Sequence, residues 1–238
     1  MSKKPEKSEV IVISGVSSFV GANLAIYFAN QGHCVYGLIS QSLFSYKGLR
    51  QLRLEKITSS GVILKTLDIT DSENIRLFIC KVKPSIWFQH AAWTENANSL
   101  EFDIERAVFV NVASLQPIYE ELSKCGSKGV IITGTNAEYG DKKDACLESD
   151  ICIPTTPYGL SKLAGTLRSY QLAQQFNLPT RVARIYNPIG AFDNPKKLLP
   201  IVVEALKQNK AIDLSPCDQK RDFIYIKDVV KVLLCFWE

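Results

Sequence analysis

The segment that decides the fold is VIVISGVSSFVGANLAIYFANQGHCVYGLIS, residues 10–40. A run of strand-forming residues is followed by small residues between Gly15 and Gly21, by a helical pattern, and by a second strand-like run. This order predicts the start of a dinucleotide site, because glycine lets the backbone approach a pyrophosphate at a helix N-terminus. Ser18 stands where the usual glycine spacing has its middle glycine. A packed turn without a ligand is the alternative interpretation.

Strand-like runs keep alternating with helical segments beyond residue 40. We predict further strands at VILKTLDIT, SIWFQHAA, GVIITGT and TRVARIYN, a long helical stretch over residues 102–125, and a helix that opens after Pro157. Continuous apolar strands separated by helices predict an α/β fold with a doubly wound, Rossmann-like parallel sheet. The alternation loosens after Asn187, so we expect one domain over residues 1–187 and a smaller lobe over residues 188–238.

Composition and charge narrow the class of protein. The net charge of +4 is spread along the chain, which suits an anionic ligand and does not favour a nucleic-acid surface. No apolar run reaches membrane-spanning length, and the polar first eight residues predict no signal peptide. Seven cysteines without a CxxC pair or metal-type spacing predict reduced thiols, a cytoplasmic protein and no metal site. We assign His33 and His90 to structural positions.

Tyr158 and Lys162, in YGLSK, form a candidate acid/base pair. Their spacing places both side chains on one face of a helix. A lysine cation close to a phenol lowers the phenol's pKa from about 10, so that it can transfer a proton near neutral pH. The same spacing is common on helix surfaces, but here it follows a dinucleotide turn and a strand that ends in hydroxyls.

In this order, the motifs resemble those of the extended short-chain dehydrogenases/reductases, the NAD-dependent epimerase/dehydratase group that acts on nucleotide sugars. The resemblance covers nearly the whole chain. Asn111 matches the family's structural asparagine. The segments that carry the rest of the likeness are SGVSSFVG, resembling TGxxGxxG; LDITD; FQHAAW; TGTNAEYG, resembling SSSxxVYG; PYGLSK; RIYNPIG, resembling RxxNxxG; and RDFIYIKDVV, resembling RDFIxVxDVA.

The resemblance implies roles for individual residues. Tyr158 would be the acid/base on a sugar oxygen, Thr135 would hydrogen-bond that oxygen, and Lys162 would hold the nicotinamide ribose and depress the pKa of the tyrosine. Implied cofactor contacts are Gly15, Ser17, Ser18, Phe19, Val20, Gly21, Ser40, Asp68, Ile69, Ala91, Ala92, Tyr158, Lys162 and Tyr186. Implied substrate contacts are Thr94, Asn136, Asn187 and Arg221. A homodimer is a further family expectation.

Departures from the family pattern refine the expected reaction. Family members that dehydrate the sugar have an acid directly after the Ser/Thr, whereas Asn136 and Ala137 follow Thr135 here. Glu138 stands where the family usually has an apolar residue. We therefore expect 4-keto reduction or 4-epimerisation of a nucleotide-linked (deoxy)sugar rather than 4,6-dehydration. The segment DLSPCDQKRDFIYIKDVV resembles most the reductases that complete deoxysugars for surface polysaccharide.

The choice of cofactor and the substrate lobe remain open at this point. The second strand ends without an acid for the adenosine ribose, and Ser40, with Lys47, Arg50 and Arg53 nearby, favours NADP(H) over NAD. The alternative is that these basic residues face solvent. The family usually continues past the RDFI segment, so we expect a small, partial substrate-binding lobe. An inactive relative that binds a cofactor or a partner is the competing hypothesis.

Overall fold

The computed structural model describes residues 8–142 and 144–236. Its main sheet contains β1 (Val10–Ser14), β2 (Cys34–Ile39), β3 (Ile63–Thr66), β4 (Ile86–Gln89), β5 (Gly129–Thr135) and β6 (Thr180–Ile185). These six strands are parallel and lie in the order β3-β2-β1-β4-β5-β6. The winding reverses between β1 and β4, which opens a crevice at the carboxyl ends of the strands. The predicted doubly wound α/β fold is confirmed.

The helices begin where the sequence supplies capping groups. They are α1 (Phe19–Asn30), α2 (Gly48–Ser59), α3 (Ser72–Val82), α4 (Ile104–Val108), α5 (Leu115–Lys124), α6 (Pro157–Gln175), α7 (Leu198–Lys207) and α8 (Ile226–Cys235). Ser18 caps α1 and Asp71 caps α3, each by accepting an N–H of the first turn. Thr156 caps α6 in the same way, with Pro157 in the first turn. These residues satisfy N–H groups that have no partner inside the helix.

Two hydrophobic cores cover the two faces of the sheet. Alternate side chains of a strand point to opposite faces, so neighbouring residues of β4 separate: Phe88 packs with Phe28 of α1, and Trp87 lies in the other core with Tyr119 of α5. The rings of Phe28 and Phe88 have centroids 5.2 Å apart. Burial on both faces explains why the strands read as nearly continuous apolar runs.

The segment after β6 forms a second, two-stranded parallel sheet from β7 (Asn187–Ile189) and β8 (Phe223–Tyr225). Helix α8, which follows β8, buries Val229 and Leu233 in the core that contains α1. The proposed division at residue 188 stays a prediction, and α8 on its far side shares the core of the main sheet. The polar start over residues 1–7 and the last two residues of the predicted C-terminal helix lie outside the described residues.

The predicted helical stretch over residues 102–125 is broken in its middle. Helix α4 is followed by a wider π-type turn, Phe109–Ala113, and then by α5. Within this turn the Asn111 Oδ1 accepts the Trp93 N–H at 2.9 Å, and its Nδ2 donates to the Ser161 Oγ at 3.2 Å. Insertions of this type occur often at functional sites, and this one ties α6 to the segment after β4. Within residues 8–142 and 144–236, no helix is long and apolar enough to cross a membrane.

Candidate active site

A cavity of about 330 Å³ lies at the carboxyl ends of β1, β2, β4 and β5. This is the edge at which a doubly wound sheet binds its ligands. Most of the residues that the sequence assigned to the cofactor or to catalysis line it, together with Thr94, which was assigned to the substrate. They are Gly15, Ser17, Ser18, Val20, Ser40, Ile69, Ala91, Ala92, Thr94, Thr135, Tyr158, Lys162 and Tyr186.

The backbone of the turn between β1 and α1 requires glycine at Gly15 but not at Ser18. Gly15 has φ +75°, and a Cβ at this position would lie 2.9 Å from the backbone N and Cα of Ala91. The turn and the end of β4 can therefore approach each other only with glycine here. Ser18 has φ −78° and ψ 169°, an ordinary extended conformation for any residue. The sequence variation at Ser18 therefore leaves the backbone of the turn unstrained.

The Ser18 hydroxyl belongs to a chain of partly buried hydrogen bonds. It accepts the Gly21 N–H at 3.1 Å and lies 2.7 Å from the Nε2 of His90. The His90 Nδ1 lies 2.8 Å from the Thr133 Oγ1. The chain is fully satisfied when Ser18 donates to Nε2 and the Nδ1–H donates to Thr133, whose hydroxyl donates in turn to the Gln89 carbonyl. These hydrogen bonds thereby connect the turn between β1 and α1 to β5.

His90 is held in its neutral form. Burial, together with repulsion from Lys162, lowers its pKa to about 3. A neutral ring can bridge two hydroxyls in the manner described, whereas a protonated ring would have to donate from both nitrogens. The sequence placed His90 in a structural position; the structure also places it in the wall of the cavity.

The three candidate catalytic side chains meet at the other end of the cavity. Tyr158 and Lys162 project from the first turns of α6, and the Thr135 hydroxyl at the end of β5 hydrogen-bonds the Tyr158 phenol. The Lys162 Nζ donates to the Thr133 carbonyl at 2.8 Å. Phe102 packs edge-on against the Tyr158 ring, with centroids 6.0 Å apart. The geometry places a phenol, a hydroxyl and an ammonium around one space.

The electrostatics of this group differ from the expectation for the tyrosine. Burial raises the pKa of Tyr158, and the hydrogen bond with Thr135 acts in the opposite direction. The Lys162 Nζ donates to the Thr133 carbonyl. The pKa of Tyr158 is thus shifted upward, opposite to the lowering that the sequence predicted. Burial also lowers the pKa of Lys162, to about 8.

Three residues implied as cofactor contacts lie outside the cavity. Phe19 is buried in the core, with its ring beneath the Lys197 ammonium. Gly21 packs under the turn, where a Cβ would lie 2.5 Å from the Gly15 carbonyl oxygen. The Asp68 carboxylate accepts hydrogen bonds from the backbone N–H and hydroxyl of Thr70. Their assignment stays a prediction that no contact described here supports.

A second cavity, of about 580 Å³, adjoins the first through Tyr186 and Pro188. Asn187 and Arg221, both implied as substrate contacts, line it. The Asn187 Nδ2 donates to the Asp222 carbonyl at 3.0 Å, which holds β7 against the segment before β8. Asn136 lines neither cavity and accepts a hydrogen bond from the Thr135 hydroxyl at 3.3 Å.

The basic residues after β2 do not act as one group. Arg53 is buried, and its guanidinium donates to the carbonyls of Ser17, at 3.2 Å, and Phe192, at 2.7 Å. The expectation that Arg53 either supports a 2′-phosphate or faces solvent is therefore wrong, because this side chain braces the backbone of the turn. Arg50 lines the cavity beside Ser40, whereas Lys47 lies outside it.

Three residues of the site were missed in the sequence. Tyr46 and Thr133 line the cavity, and Phe102 contacts the Tyr158 ring. Thr133 could have been inferred from the alternation of β5, because it points to the same side as Thr135. Tyr46 lies in a loop whose course the sequence pattern does not define, and Phe102, predicted to begin a helical stretch, precedes the first residue of α4.

The cavity fits a nicotinamide dinucleotide. The glycine turn leaves room for a pyrophosphate at the N-terminus of α1, where the helix dipole favours negative charge. Ser40 lines the cavity at the end of β2, where the adenosine ribose of such a cofactor would lie, and Tyr158 and Lys162 line it toward the opposite end. The residues at both ends of the cavity therefore suit this cofactor.

Comparisons with known proteins agree with this reading. The model of the NAD dependent epimerase/dehydratase family matches residues 11–238. A dTDP-D-glucose 4,6-dehydratase of Dictyostelium discoideum is 26% identical over 246 residues, covering 92% of this chain and 53% of that protein. A dTDP-4-dehydro-6-deoxyglucose reductase of Escherichia coli is 27% identical over 187 residues, covering 76% and 56%. The chain thus spans little more than half the length of these relatives.

Solved structures share the fold. UDP-glucuronic acid 4-epimerase of Bacillus cereus, in complex with UDP-glucuronic acid and NAD, superposes with a TM-score of 0.80 at 22% identity. The match covers 96% of this chain and 73% of that protein. At this identity the likeness shows the fold alone.

Proposed function

Because this chain belongs to the NAD-dependent epimerase/dehydratase family, we propose that it performs 4-keto reduction or 4-epimerisation of a nucleotide-linked sugar. The observation that carries the proposal is the meeting of Thr135, Tyr158 and Lys162 in one cavity with the Gly15 turn. The second cavity, with Asn187 and Arg221, supports a position for the nucleotide diphosphate next to the reacting sugar.

The chain's own residues would contribute position and proton transfer. The bound nicotinamide would supply the hydride acceptor or donor. The Tyr158 phenol would give a proton to the sugar oxygen during reduction, or take one during oxidation, while Thr135 hydrogen-bonds the same oxygen. Lys162, anchored on the Thr133 carbonyl, would hold the ribose hydroxyls with its remaining N–H groups. Phe102 and the buried end of β5 would exclude water from this region.

A 4,6-dehydratase is disfavoured, although several of the similar curated proteins carry that activity in their names. Elimination of water needs an acid that reaches the sugar. Glu138 is the nearest carboxylate in sequence after Thr135, and its side chain is fully buried and hydrogen-bonded within the protein. It does not line either cavity. This placement supports reduction or epimerisation.

For the cofactor we propose a preference for NADP(H) over NAD(H). Support comes from Arg50 and Ser40, which line the cavity at the end of β2, where no acid is present to repel a 2′-phosphate. Titration of NADPH and NADH against Arg50→Gln should show a selective loss for NADPH, of about tenfold. Lys47→Gln is the matched control and should leave the ratio unchanged; an equal loss for both cofactors would contradict the preference.

The assembly is proposed to be a homodimer in the cytoplasm. Leu160 and Leu167 of α6 are 52% and 59% exposed, and Phe109 of the π-type turn is 47% exposed. Such a set of apolar side chains on neighbouring helices suits an interface between two copies. Leu167→Glu should produce monomers by analytical ultracentrifugation, whereas Leu77→Glu, an exposed leucine of α3, should not. Seven free cysteines support the reducing compartment.

The deciding experiment removes the hydroxyl group of Tyr158. Tyr158→Phe should remove turnover of 4-keto and 4-hydroxy nucleotide sugars, while the dissociation constants of NADPH and NADH change by less than about threefold. Unchanged turnover would exclude Tyr158 as the acid/base. If the wild-type chain binds a nicotinamide cofactor but turns over no such sugar, the inactive, cofactor- or partner-binding relative becomes the better description. Absence of cofactor binding would defeat the enzymatic proposal.

A further inference from the structure

Glu138 is a fully buried carboxylate directly behind the candidate active site. It ends the short helical turn Asn136–Glu138 that follows β5, at a position where the resembled family usually has an apolar residue. An ionised carboxylate inside a protein is costly unless its oxygens are hydrogen-bonded and its charge is paired. The partners of Glu138 therefore indicate what the group does.

The partners come from three separate elements, two of which carry candidate catalytic residues. The Glu138 Oε1 accepts the backbone N–H of Thr135 at 3.0 Å. The Oε2 accepts the Thr166 hydroxyl of α6 at 3.1 Å and the Arg184 Nε of β6 at 2.9 Å. Thr166 lies one helical turn after Lys162, and Arg184 precedes Tyr186 by two residues. One carboxylate thus links the end of β5, the helix that carries Tyr158, and the strand that leads to the second cavity.

We propose that Glu138 is a positioning residue of this site, which fixes the Thr135 hydroxyl relative to Tyr158 and Lys162 through a single buried carboxylate. This inference rests on the proposed function of these three residues. Because Oε1 holds the backbone of Thr135 itself, a small displacement of the carboxylate moves the Thr135–Tyr158 hydrogen bond directly. The contacts with α6 and β6 keep the two neighbouring elements at fixed separations from that bond.

The charge of Glu138 acts on the same groups. Burial is the main cause of the raised pKa of Tyr158, and the negative charge of Glu138 adds to it. For Lys162, burial lowers the pKa and Glu138 opposes this effect. Other ionisable groups also face the carboxylate. They are the Arg184 guanidinium of β6, the Cys152 thiol before α6, and Tyr139, whose ring lies against Arg184.

The test is a titration of the Tyr158 phenol that requires no substrate. Tyrosinate absorbance would be measured in wild type and Glu138→Gln, each with Tyr158→Phe in the same background as reference, because the chain has nine tyrosines. The pKa of Tyr158 should fall by about one pH unit when the carboxylate charge is removed. Glu73→Gln, which removes an exposed carboxylate on α3, should leave the titration unchanged.

A second variant covers the case in which Glu138→Gln fails to fold, since it leaves Arg184 without its charged partner. Glu138→Met combined with Arg184→Met replaces the pair by apolar side chains of similar length, a change that buried ion pairs often tolerate. It should also lower the pKa of Tyr158, and reduce turnover at least tenfold with the dissociation constant of NADPH changed less than threefold.

Two results would overturn the positioning role: a Tyr158 titration unchanged in both variants, or turnover of the double variant equal to that of wild type. Failure of the proposed function is distinguishable from these results, because it would appear in the wild-type chain itself, as missing cofactor binding or missing sugar turnover. The phenol titration can be read in that case as well.

Discussion

Ser18→Ala should lower the free energy of unfolding by about 2 kcal/mol, because one hydroxyl makes two hydrogen bonds. Loss of a serine cap at a helix N-terminus costs about 1 kcal/mol, and here the cap bond is that from the Gly21 N–H. The second bond reaches the His90 Nε2, at 2.7 Å. Leaving a buried nitrogen unpaired costs about 1–3 kcal/mol, and the low end applies because water in the adjoining cavity can replace the hydroxyl.

The assay is thermal and urea-induced unfolding, with Ser17→Ala as the matched control. Ser17 lies in the same turn and lines the same cavity, but its hydroxyl makes no hydrogen bond to any other described residue. A loss of about 2 kcal/mol corresponds to a fall of roughly 4–8 °C in the melting temperature of a chain of this size. Ser18→Gly should fall between wild type and Ser18→Ala, because glycine is the better cap of the two.

The dissociation constant of NADPH, measured on the same Ser18 variants, distinguishes effects on cofactor binding from effects on stability. Ser18→Gly should change the dissociation constant of NADPH by less than about threefold, because the turn keeps an ordinary backbone conformation at this residue. Ser18→Phe should abolish binding, since its ring would fill the cavity. If Ser18→Ala is no less stable than Ser17→Ala, the hydrogen-bonded chain through His90 contributes nothing measurable and the reasoning is refuted.

Two further predictions concern the same region. Gly15→Ala should abolish cofactor binding and destabilise the fold, because its Cβ would lie 2.9 Å from neighbouring backbone atoms. Gly32→Ala is the control, since Gly32 also has a positive φ, +91°, but no atom lies within 4 Å of the added Cβ. It should cost only about 1 kcal/mol of backbone strain, measured by urea unfolding. For His90, the folded pKa of about 3 lies below the unfolded value of about 6.5, so its contribution to stability is complete above pH 6.5 and is lost as the pH falls toward 3. His90→Gln should flatten the decline of unfolding free energy between pH 6.5 and 5, by up to about 1.4 kcal/mol per pH unit; a slope equal to that of wild type would contradict the neutral, buried ring.

Features that depend on neighbouring residues could be predicted from the sequence. The glycine turn and the Tyr158–Lys162 pair each lie within a few residues, so strand and helix periodicity was sufficient to place them. The local part of the Glu138 arrangement was also readable, since Thr135-x-x-Glu138 has the spacing of a capping box.

Features that depend on contacts between residues far apart in sequence could not be predicted. Arg53 reaches the Ser17 and Phe192 carbonyls, which are 36 and 139 residues away in sequence. Its charge pattern resembled that of any exposed helix. The pKa of Tyr158 was inferred from the nearest cation in sequence, whereas burial is the main cause of its upward shift in the structure.

The position of His90 also makes the cavity observable by NMR, with uniform nitrogen-15 labelling and a single variant for assignment. The chain has two histidines, and the other, His33, accepts a backbone hydrogen bond at the opposite edge of the sheet, between α1 and β2. Nitrogen-15 resonances of the two imidazoles can therefore be assigned from one variant. The tautomer and exchange rate of the His90 ring then report, in solution, whether a molecule added to the protein has reached the space between the glycine turn and Tyr158.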